Sequence, residues 1–298
     1  MGKALFITGT GTDVGKTALS LASLQWARKR GLRAAYHKPI QCGAFTFGQP
    51  PRQGGDADWI RMMTGQEGAA SASAASSTAS LASTHAASAS APPATRESYR
   101  LLLPASPHLA AEREGVVIDL GRVRADLESL LAENDFVVVE GSGGAAVPVN
   151  RQGMTLAHLA AEMSLPCLIA CAPGLGTLHH TRTTVAYLKT LQASIAGFAF
   201  CQREPERNPS PAAPSTTGTS PNWSAASTGA AAVAQYSGAS EDLSHDNQRT
   251  LEALTGLPFF GTLPFSRQAS EGIPMSASEA EAWRAPLDPA LDRWWKSA

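Results

Sequence analysis

Hydrophobic residues in this chain are concentrated in short, uninterrupted runs rather than at alternating positions. A strand that is apolar on both faces is typical of a parallel sheet covered by helices on each side, whereas a half-exposed strand alternates apolar and polar residues. The runs therefore predict buried strands of a parallel sheet. They are Leu5–Thr8, Leu32–Lys38, Asp135–Glu140, Pro166–Ala172, Ile195–Cys201 and Phe259–Phe265.

Helical patterns separate these runs. Between Asp119 and Glu133, leucine and valine recur at helical spacing, which predicts an amphipathic helix laid on the sheet. Further helices are predicted after Lys16, after Asp56, after a loop that begins at Tyr99, from Gly176 to Leu191, over Asp246–Thr255 and over Leu287–Trp295. Strands that alternate with helices predict an α/β fold, with a parallel sheet, right-handed crossovers and helices on both faces, in one domain over residues 1–298.

Two segments depart from this pattern. Residues 66–98 and 203–245 are rich in Ala, Ser, Thr, Pro and Gly, with few charged and few large apolar side chains. Such segments bury too little apolar surface to offset the entropy lost on ordering. Both are predicted to be disordered insertions in surface loops of the α/β domain.

Composition narrows the classes of partner. The chain of 298 residues has 24 basic and 25 acidic side chains and a formal net charge of −1. With no basic stripe, neither nucleic acid nor a membrane surface is expected as a partner. The first residues run into a strand without a secretory leader, which predicts a cytoplasmic protein. The four cysteines lack metal-site or disulfide spacing and are expected to be buried or site-lining thiols.

The strongest chemical signal follows the first strand. Residues 9–17 read Gly-Thr-Gly-Thr-Asp-Val-Gly-Lys-Thr and precede a helix. Glycines let backbone amides curl around phosphate oxygens at a helix N-terminus, while Lys16 and Thr17 suit the β/γ-phosphates and Mg²⁺. The pattern differs from G-x-x-x-x-G-K-[ST] because Thr10 occupies the first glycine position. The alternative is a glycine-rich turn without a ligand, but the order of strand, loop and helix favours a P-loop NTPase-like domain.

Three charged residues stand where ligands of parallel sheets bind, beyond the carboxyl ends of the strands. Lys38 ends the second strand, and the alternative is a solvated surface lysine. Asp56 opens a helix, so it is either an N-cap or a Mg²⁺ ligand. Glu140 ends a buried strand, where an unpaired carboxylate is costly, which favours a metal or catalytic role over a loop residue. His108, near a predicted helix start, is expected to pack or cap.

Together these pieces resemble the dethiobiotin synthetase family, over most of residues 3–65, 99–202 and 246–265. The individual motifs are short, but their order, their spacing and the unusual loop length make the resemblance specific. The motifs are Thr8–Thr17, Tyr36–Pro39, Gly55–Ala57, Ser106–Ala111, Val139–Gly144 and Gly174–Thr177.

The resemblance implies an ATP- and Mg²⁺-dependent ligase. Members of the family join CO₂ to 7,8-diaminononanoate as a carbamate, phosphorylate it with ATP and close a ureido ring with loss of phosphate. Their long substrate lies at a dimer interface, so a homodimer is implied.

The resemblance also implies roles for individual residues. Lys16, Lys38 and Thr12 take the catalytic positions. The implied nucleotide contacts are Gly11, Thr12, Asp13, Val14, Gly15, Lys16, Thr17, Asp56, Glu140 and Cys201. Substrate contacts fall to Thr12, Lys38, Cys42, Gly141, Gly143 and Gly144. The implied Mg²⁺ ligands are Thr17, Asp56 and Glu140.

The chain departs from the family pattern at three places. Cys42 stands where the family often has Ser or Thr, which weakens the hydrogen bond offered to substrate. Cys201 and Gln202 replace the asparagine that usually precedes the adenine pocket, so the preference for ATP over other nucleotides needs measurement. His179 replaces an asparagine in the helix after Gly176.

Other functions are compatible with a P-loop. An amide-forming ligase of the cobyrinate type usually carries a glutaminase domain, for which no sequence remains after residue 265. A ParA/MinD-type switch ATPase carries an additional lysine early in its P-loop, whereas this loop has none before Lys16. Such ATPases also tend to have a membrane-targeting helix or a basic DNA-binding surface, and neither feature is evident in this sequence. A silenced relative with an intact fold is the remaining alternative.

Overall fold

The protein is described here by a computed structural model that covers residues 2–44, 54–65, 92–204 and 239–298. Within these residues a seven-stranded, fully parallel sheet has the strand order β3-β2-β4-β1-β5-β6-β7. This confirms the predicted α/β class. The strands are β1 (Lys3–Gly9), β2 (Ala34–Gln41), β3 (Ala94–Arg100), β4 (Phe136–Glu140), β5 (Cys167–Cys171), β6 (Ile195–Cys201) and β7 (Phe259–Leu263).

Two layers of helices cover the sheet. One layer packs against the face that carries Phe6 and Val139. It contains α3 (Pro107–Arg113), α4 (Leu120–Glu133), α5 (Leu156–Glu162), α6 (Thr177–Thr190) and α7 (Ala239–Thr255). The other layer covers the face that carries Leu5 and Ile7. It contains α1 (Lys16–Lys29), α2 (Asp56–Met63), α8 (Arg267–Glu271), α9 (Ala277–Arg284), a 3₁₀ turn (Ala285–Leu287) and α10 (Asp288–Ser297).

The centre of the sheet aligns the strand ends that carry the candidate chemistry. β1 lies between β4 and β5, and Ile7 of β1 is the register partner of Glu140. The Gly141 amide donates to the Ile7 carbonyl over 2.9 Å, and the Ala145 amide donates to the Gly9 carbonyl over 3.2 Å. The loops that follow β1 and β4 are therefore held side by side at the carboxyl edge.

The predicted boundary of the first insertion is wrong at its end. Residues 94–98 belong to β3, an edge strand that pairs with β2, and the predicted loop from Tyr99 begins inside this strand. Its sequence, Ala-Thr-Arg-Glu-Ser-Tyr-Arg, is polar because an edge strand is only partly covered. Arg100 anchors the strand by ion pairs to Glu97 and to Asp58 of α2. The part of the segment before residue 92 lies outside the described residues.

The second insertion also ends earlier than predicted. α7 begins at Ala239 rather than near Asp246. The prediction placed the start too late because the first turns of this helix are polar in sequence and show no apolar pattern. Residues 205–238 of the predicted insertion lie outside the described residues. The short helices α5, α8 and α9 were not predicted, whereas the helix near the C-terminus is confirmed as α10. Side chains of Thr155, Ser266 and Ser276 cap the N-termini of these three short helices.

The helices that the structure describes are too short or too polar to be candidate membrane spans. Over the described ranges, none of them combines the length and apolar character needed to cross a bilayer.

Candidate active site

The loop between β1 and α1 has the geometry of a phosphate-binding loop. Gly15, the N-cap of α1, has φ of 90°, and Asp13 has φ of 56°. These left-handed residues reverse the chain so that helix N-terminal amides face the site. The Lys16 ammonium folds back over the loop and donates to the Gly11 carbonyl over 2.8 Å. Burial, together with repulsion from Lys38, lowers the pKa of Lys16.

Gly15 is required by a close neighbour as well as by its backbone conformation. A Cβ added there would lie 2.4 Å from the Cβ of Cys201, at the end of β6. The Cys201 thiol lies 3.6 Å from the Gly15 carbonyl. The predicted nucleotide residue Cys201 thus contacts the loop directly, and its burial raises the pKa of the thiol.

Glu140 is the hub of a buried polar cluster. The residue is 0% exposed and ends β4, as the sequence predicts for a carboxylate with partners. Its Oε1 accepts hydrogen bonds from the Thr17 hydroxyl over 2.9 Å and from the Lys38 ammonium over 2.8 Å. Its Oε2 accepts from Ser20 over 2.8 Å and from Tyr36 over 2.9 Å. Four donors, two on α1 and two on β2, therefore offset the cost of burying this carboxylate.

Lys38 lies between the two candidate metal ligands. Its Nζ is 2.7 Å from a carboxylate oxygen of Asp56, 2.8 Å from Glu140 and 3.2 Å from the Gly141 carbonyl. Burial alone would lower the pKa of Lys38, but Asp56 and Glu140 outweigh burial and raise that pKa above its usual range. Lys38 is 4% exposed, which rules out the alternative of a solvated surface lysine.

Asp56 is the first residue of α2, not its cap. Gly55 takes the N-cap position, and the Gly55 amide donates to the Asp58 carboxylate over 2.8 Å. The Asp56 amide donates to the Gln41 side chain over 2.8 Å, which fixes the start of the helix beside β2. Burial would raise the pKa of Asp56, but Lys38 outweighs it and holds that pKa below its usual range.

The donor set of Thr17, Asp56 and Glu140 fits Mg²⁺. Two carboxylates and a hydroxyl are hard oxygen ligands, and P-loop enzymes hold Mg²⁺ through a Ser/Thr hydroxyl and carboxylates from elsewhere in the fold. The two carboxylates meet around one cation, the Lys38 ammonium, and the Thr17 hydroxyl donates to the same Glu140 oxygen that Lys38 contacts, so the three groups lie close together. In the described part of the chain, no group of three His, Cys, Asp or Glu forms another candidate metal site.

A cavity of about 920 Å³ opens onto this cluster. Many of the residues predicted from the sequence to bind nucleotide, substrate or metal line it. They are Thr12, Asp13, Gly15, Lys16, Thr17, Lys38, Cys42, Asp56, Glu140, Gly143 and Cys201. One end is formed by Cys42 and residues 104–107, and the other by the ends of β6 and β7 with Trp283. Burial raises the pKa of Cys42 to about 11, so the thiol faces the cavity in its neutral form.

The remaining predicted site residues lie behind the cavity wall. Val14 is 5% exposed and packs in the core below the loop, while Gly11 and Gly141 contribute the carbonyls that receive Lys16 and Lys38. A Cβ added at Gly144 would lie 3.5 Å from backbone atoms of Gly9 and Gly11, which is an ordinary contact distance, so the loop after β4 lies against the phosphate loop. Gly144 itself lies outside the residues that line the cavity.

Several residues of the site were not predicted. Ser20 and Tyr36 contact Glu140, and Gln41 holds the start of α2. Trp59 and Trp283 line the cavity, and their indole N–H groups donate to the Ala269 and Pro264 carbonyls. The motif around Lys38 offered the one local signal, since Tyr36 lies on the same face of β2 as the lysine. His108 and His179 lie outside the residues that line the cavity.

The sequence and the fold were compared with known proteins. The model of the AAA domain family matches residues 3–271. The ATP-dependent dethiobiotin synthetase BioD of Anoxybacillus flavithermus is 34% identical over 65% of this chain and 76% of its own length. The BioD of Anaeromyxobacter sp. (strain K) is 35% identical over 70% of this chain and 80% of its own length.

The comparison of folds gives the class of domain alone. The MinC:MinD cell division protein complex of Aquifex aeolicus superposes with a TM-score of 0.52 at 11% identity, covering 100% of this chain and 97% of that one. At this identity the likeness concerns the fold and does not favour a switch ATPase. Fold and site define a P-loop nucleotide-binding domain. Within that class, the identities to BioD show that the chain belongs to the dethiobiotin synthetase family.

Proposed function

We propose that this protein is an ATP-dependent dethiobiotin synthetase, a ligase of biotin biosynthesis. It converts 7,8-diaminononanoate, CO₂ and ATP into dethiobiotin, ADP and phosphate. Family membership supports the reaction, and one observation in this chain carries its chemistry. The buried Lys38 ammonium lies between Asp56 and Glu140 and beside the hydroxyl of Thr17 at the mouth of the phosphate loop. A cation thereby lies where a phosphoryl group would be transferred, next to the carboxylates that would hold Mg²⁺.

The phosphates of ATP bind at the N-terminus of α1. Backbone amides of the loop from Gly11 to Gly15 surround the β-phosphate, and Lys16 exchanges the Gly11 carbonyl for phosphate oxygens. Asp13 and Val14 serve through their backbone, since Val14 is buried in the core.

Mg²⁺ is held by Thr17, Asp56 and Glu140 and neutralises charge on the β- and γ-phosphates when bound. The chain's own contribution is to hold these oxygens close together and to favour the charged form of Asp56. Lys38 serves the second purpose through its charge.

The diamine binds at the other side of Lys38. Thr12, Cys42 and Gly143 line this end of the cavity, and Gly141 and Gly144 lie behind them in the loop after β4. One amine of the substrate adds to CO₂ and releases a proton, which gives a carbamate. The carbamate oxygen attacks the γ-phosphorus and ADP leaves. The second amine then attacks the carbonyl carbon, phosphate leaves and the ureido ring closes.

Lys38 is positioned to act in two of these steps. Its ammonium, released from the two carboxylates, pairs with the carbamate and then with charge that develops on the transferred phosphoryl oxygens. Lys16 contributes further hydrogen bonds to the phosphoryl oxygens, and Thr12 contributes one to the carbamate. The roles of Lys38 and Lys16 differ, because Lys38 reaches both phosphate and carbamate whereas Lys16 reaches phosphate.

A homodimer in the cytoplasm completes the proposal. In the family, the partner subunit helps to bind the far carboxylate of the substrate. Size-exclusion chromatography with light scattering tests this part separately, and a monomer under turnover conditions would remove the dimer from the proposal.

The central experiment measures phosphate release with Mg-ATP and bicarbonate, with and without 7,8-diaminononanoate, and detects dethiobiotin by mass spectrometry. We expect release that depends on the diamine, with one dethiobiotin per phosphate. Lys16→Ala should abolish release, while Lys189→Ala, at an exposed position, should not. Hydrolysis independent of the diamine would instead support a switch ATPase. Dependence on glutamine would support an amide-forming ligase.

A further inference from the structure

The two oxygens of Glu140 have different surroundings. Oε1 contacts Thr17 and Lys38, which both line the cavity. Oε2 contacts Ser20 of α1 and Tyr36 of β2, which are both 0% exposed and lie outside the cavity lining. One oxygen therefore faces the reactants and the other is anchored in the protein.

The two anchors are not equivalent. The Ser20 hydroxyl has a single proton and lies 2.9 Å from the Lys16 carbonyl as well as 2.8 Å from Glu140, so its proton is shared between two acceptors. The Tyr36 hydroxyl, within the described residues, contacts Glu140 as its acceptor.

Without Tyr36, the carboxylate could turn about its terminal bond. Terminal torsions of Glu side chains are broad, so packing and hydrogen bonds must select the orientation. A fixed Oε2 leaves Oε1 in one place relative to Thr17. For a cation that demands near-octahedral geometry, such as Mg²⁺, this restriction matters more than for a flexible site.

We propose that Tyr36, assisted by Ser20, is a positioning residue that holds Oε2 of Glu140 so that Oε1 alone is presented to the metal. The inference rests on the proposed function, in which Glu140 is a Mg²⁺ ligand. Tyr36 itself contacts neither metal nor substrate. Partners of this kind, which orient a metal ligand from behind, typically change metal affinity or activity by about 10–100-fold when removed.

The test is metal binding by Tyr36→Phe. The substitution keeps the ring in the buried cluster that also contains Phe136 and Ile7, and it removes only the hydroxyl. Mn²⁺ binding in the presence of a non-hydrolysable ATP analogue is titrated by electron paramagnetic resonance. We expect a Kd for Mn²⁺ at least about 10-fold weaker than in the wild type. In steady-state assays the apparent KM for Mg²⁺ rises, and saturating Mg²⁺ restores most of kcat.

The matched control is Tyr99→Phe. The Tyr99 hydroxyl accepts from the Asp119 amide over 2.9 Å on the opposite face of the sheet, so this variant loses a buried hydroxyl without touching the site. Its Mn²⁺ affinity should equal that of the wild type. Ser20→Ala is the second test variant, and a smaller loss of Mn²⁺ affinity is expected because its proton is shared. Ser20→Ala also tests the positioning role if Tyr36→Phe folds poorly.

The outcomes separate the two proposals. Equal Mn²⁺ affinity in wild type, Tyr36→Phe and Ser20→Ala overturns the positioning role and leaves the proposed function standing. Glu140→Gln that binds Mn²⁺ as tightly as the wild type removes Glu140 from the metal site and overturns the positioning role with it, whereas the proposed reaction is decided by the diamine-dependent release of phosphate. Equal losses in Tyr36→Phe and Tyr99→Phe show a general effect of losing a buried hydroxyl and also overturn the positioning role.

Discussion

Replacing Lys38 by methionine tests the charge balance of the site. Methionine keeps much of the length and volume of the side chain and removes its charge. The Lys38 side chain is 5% exposed, while those of Glu140 and Asp56 are 0% and 33% exposed. In Lys38→Met, two carboxylates face each other without the ammonium that lies between them. Removing one partner of a buried ion pair costs about 3–5 kcal/mol.

The structure favours the lower end of that range. Glu140 keeps its hydrogen bonds from Thr17, Ser20 and Tyr36, and Asp56 is open enough for water to reach it. A loss of about 3 kcal/mol corresponds to a decrease in Tm of roughly 6–12 °C for a chain of this size. The decrease is measured by circular dichroism with EDTA present, so that no divalent metal compensates for the missing charge.

Mg²⁺ should then distinguish the variant from the wild type. In the wild type, the ion must displace the Lys38 ammonium from the two carboxylates, whereas in Lys38→Met the same oxygens are uncompensated. Because a ligand stabilises the state that binds it, Mg²⁺ with ADP should raise the Tm of the variant by more than that of the wild type. Turnover stays abolished, since the carbamate has lost its cation.

Lys189→Met is the control, because this lysine is exposed on α6. Its Tm should remain within about 2 °C of the wild type, as for most surface substitutions. A metal-free Lys38→Met protein as stable as this control would refute the reasoning. Equal stabilisation of variant and wild type by Mg²⁺ would also refute it, because the ammonium and the ion would then not compete for the same oxygens.

Three further predictions concern the fold around the site. Burial lowers the pKa of His37 to about 4 in the folded state. As the pH drops from about 6.5 to about 4, the unfolded state therefore binds a proton that the folded state does not, and the free energy of unfolding falls by at most about 3 kcal/mol. In urea titrations at several pH values, His37→Gln should lose this part of the pH dependence; an unchanged slope would contradict the assignment. Gly15→Ala should cost at least about 1 kcal/mol more than Gly153→Ala, because both have positive φ but only Gly15 lies against Cys201; equal losses in urea denaturation would show that the contact relaxes freely. Deleting residues 66–91 should leave the Tm nearly unchanged, whereas deleting 66–98 removes most of β3 and should lower it clearly; similar Tm values for the two deletions would be the contrary result.

The sequence allowed the centre of the fold to be predicted because its signals are local. An apolar run, a glycine-rich loop and a Lys-Thr pair lie within a few residues of one another, and Glu140 is the last residue of its own buried strand. The edge strand β3 was missed for the opposite reason. Its residues are stabilised by pairing with β2 and by the contact between Arg100 and Asp58, which no local pattern reveals.

The same distinction applies to the site. Lys38, Asp56 and Glu140 were predicted from their places at strand and helix ends, but their mutual contacts were not. The positions of Ser20 and Tyr36 against Glu140 join residues more than 100 apart in the chain. Such contacts arise from the strand order, in which β4 inserts between β1 and β2. A single sequence carries little information on that order.

This strand order also governs how the chain emerges from the ribosome. β1 and β2 are made first, yet the strand that lies between them in the sheet is β4, which ends at Glu140. At about 5–20 residues per second, the roughly hundred residues after Gln41 take roughly 5–20 s to be translated. During that interval two apolar strands lack the partner that separates them, and the phosphate loop has no acidic counterpart. The N-terminal part of the chain therefore completes neither the centre of its sheet nor its candidate Mg²⁺ site until the middle of the chain has been synthesised.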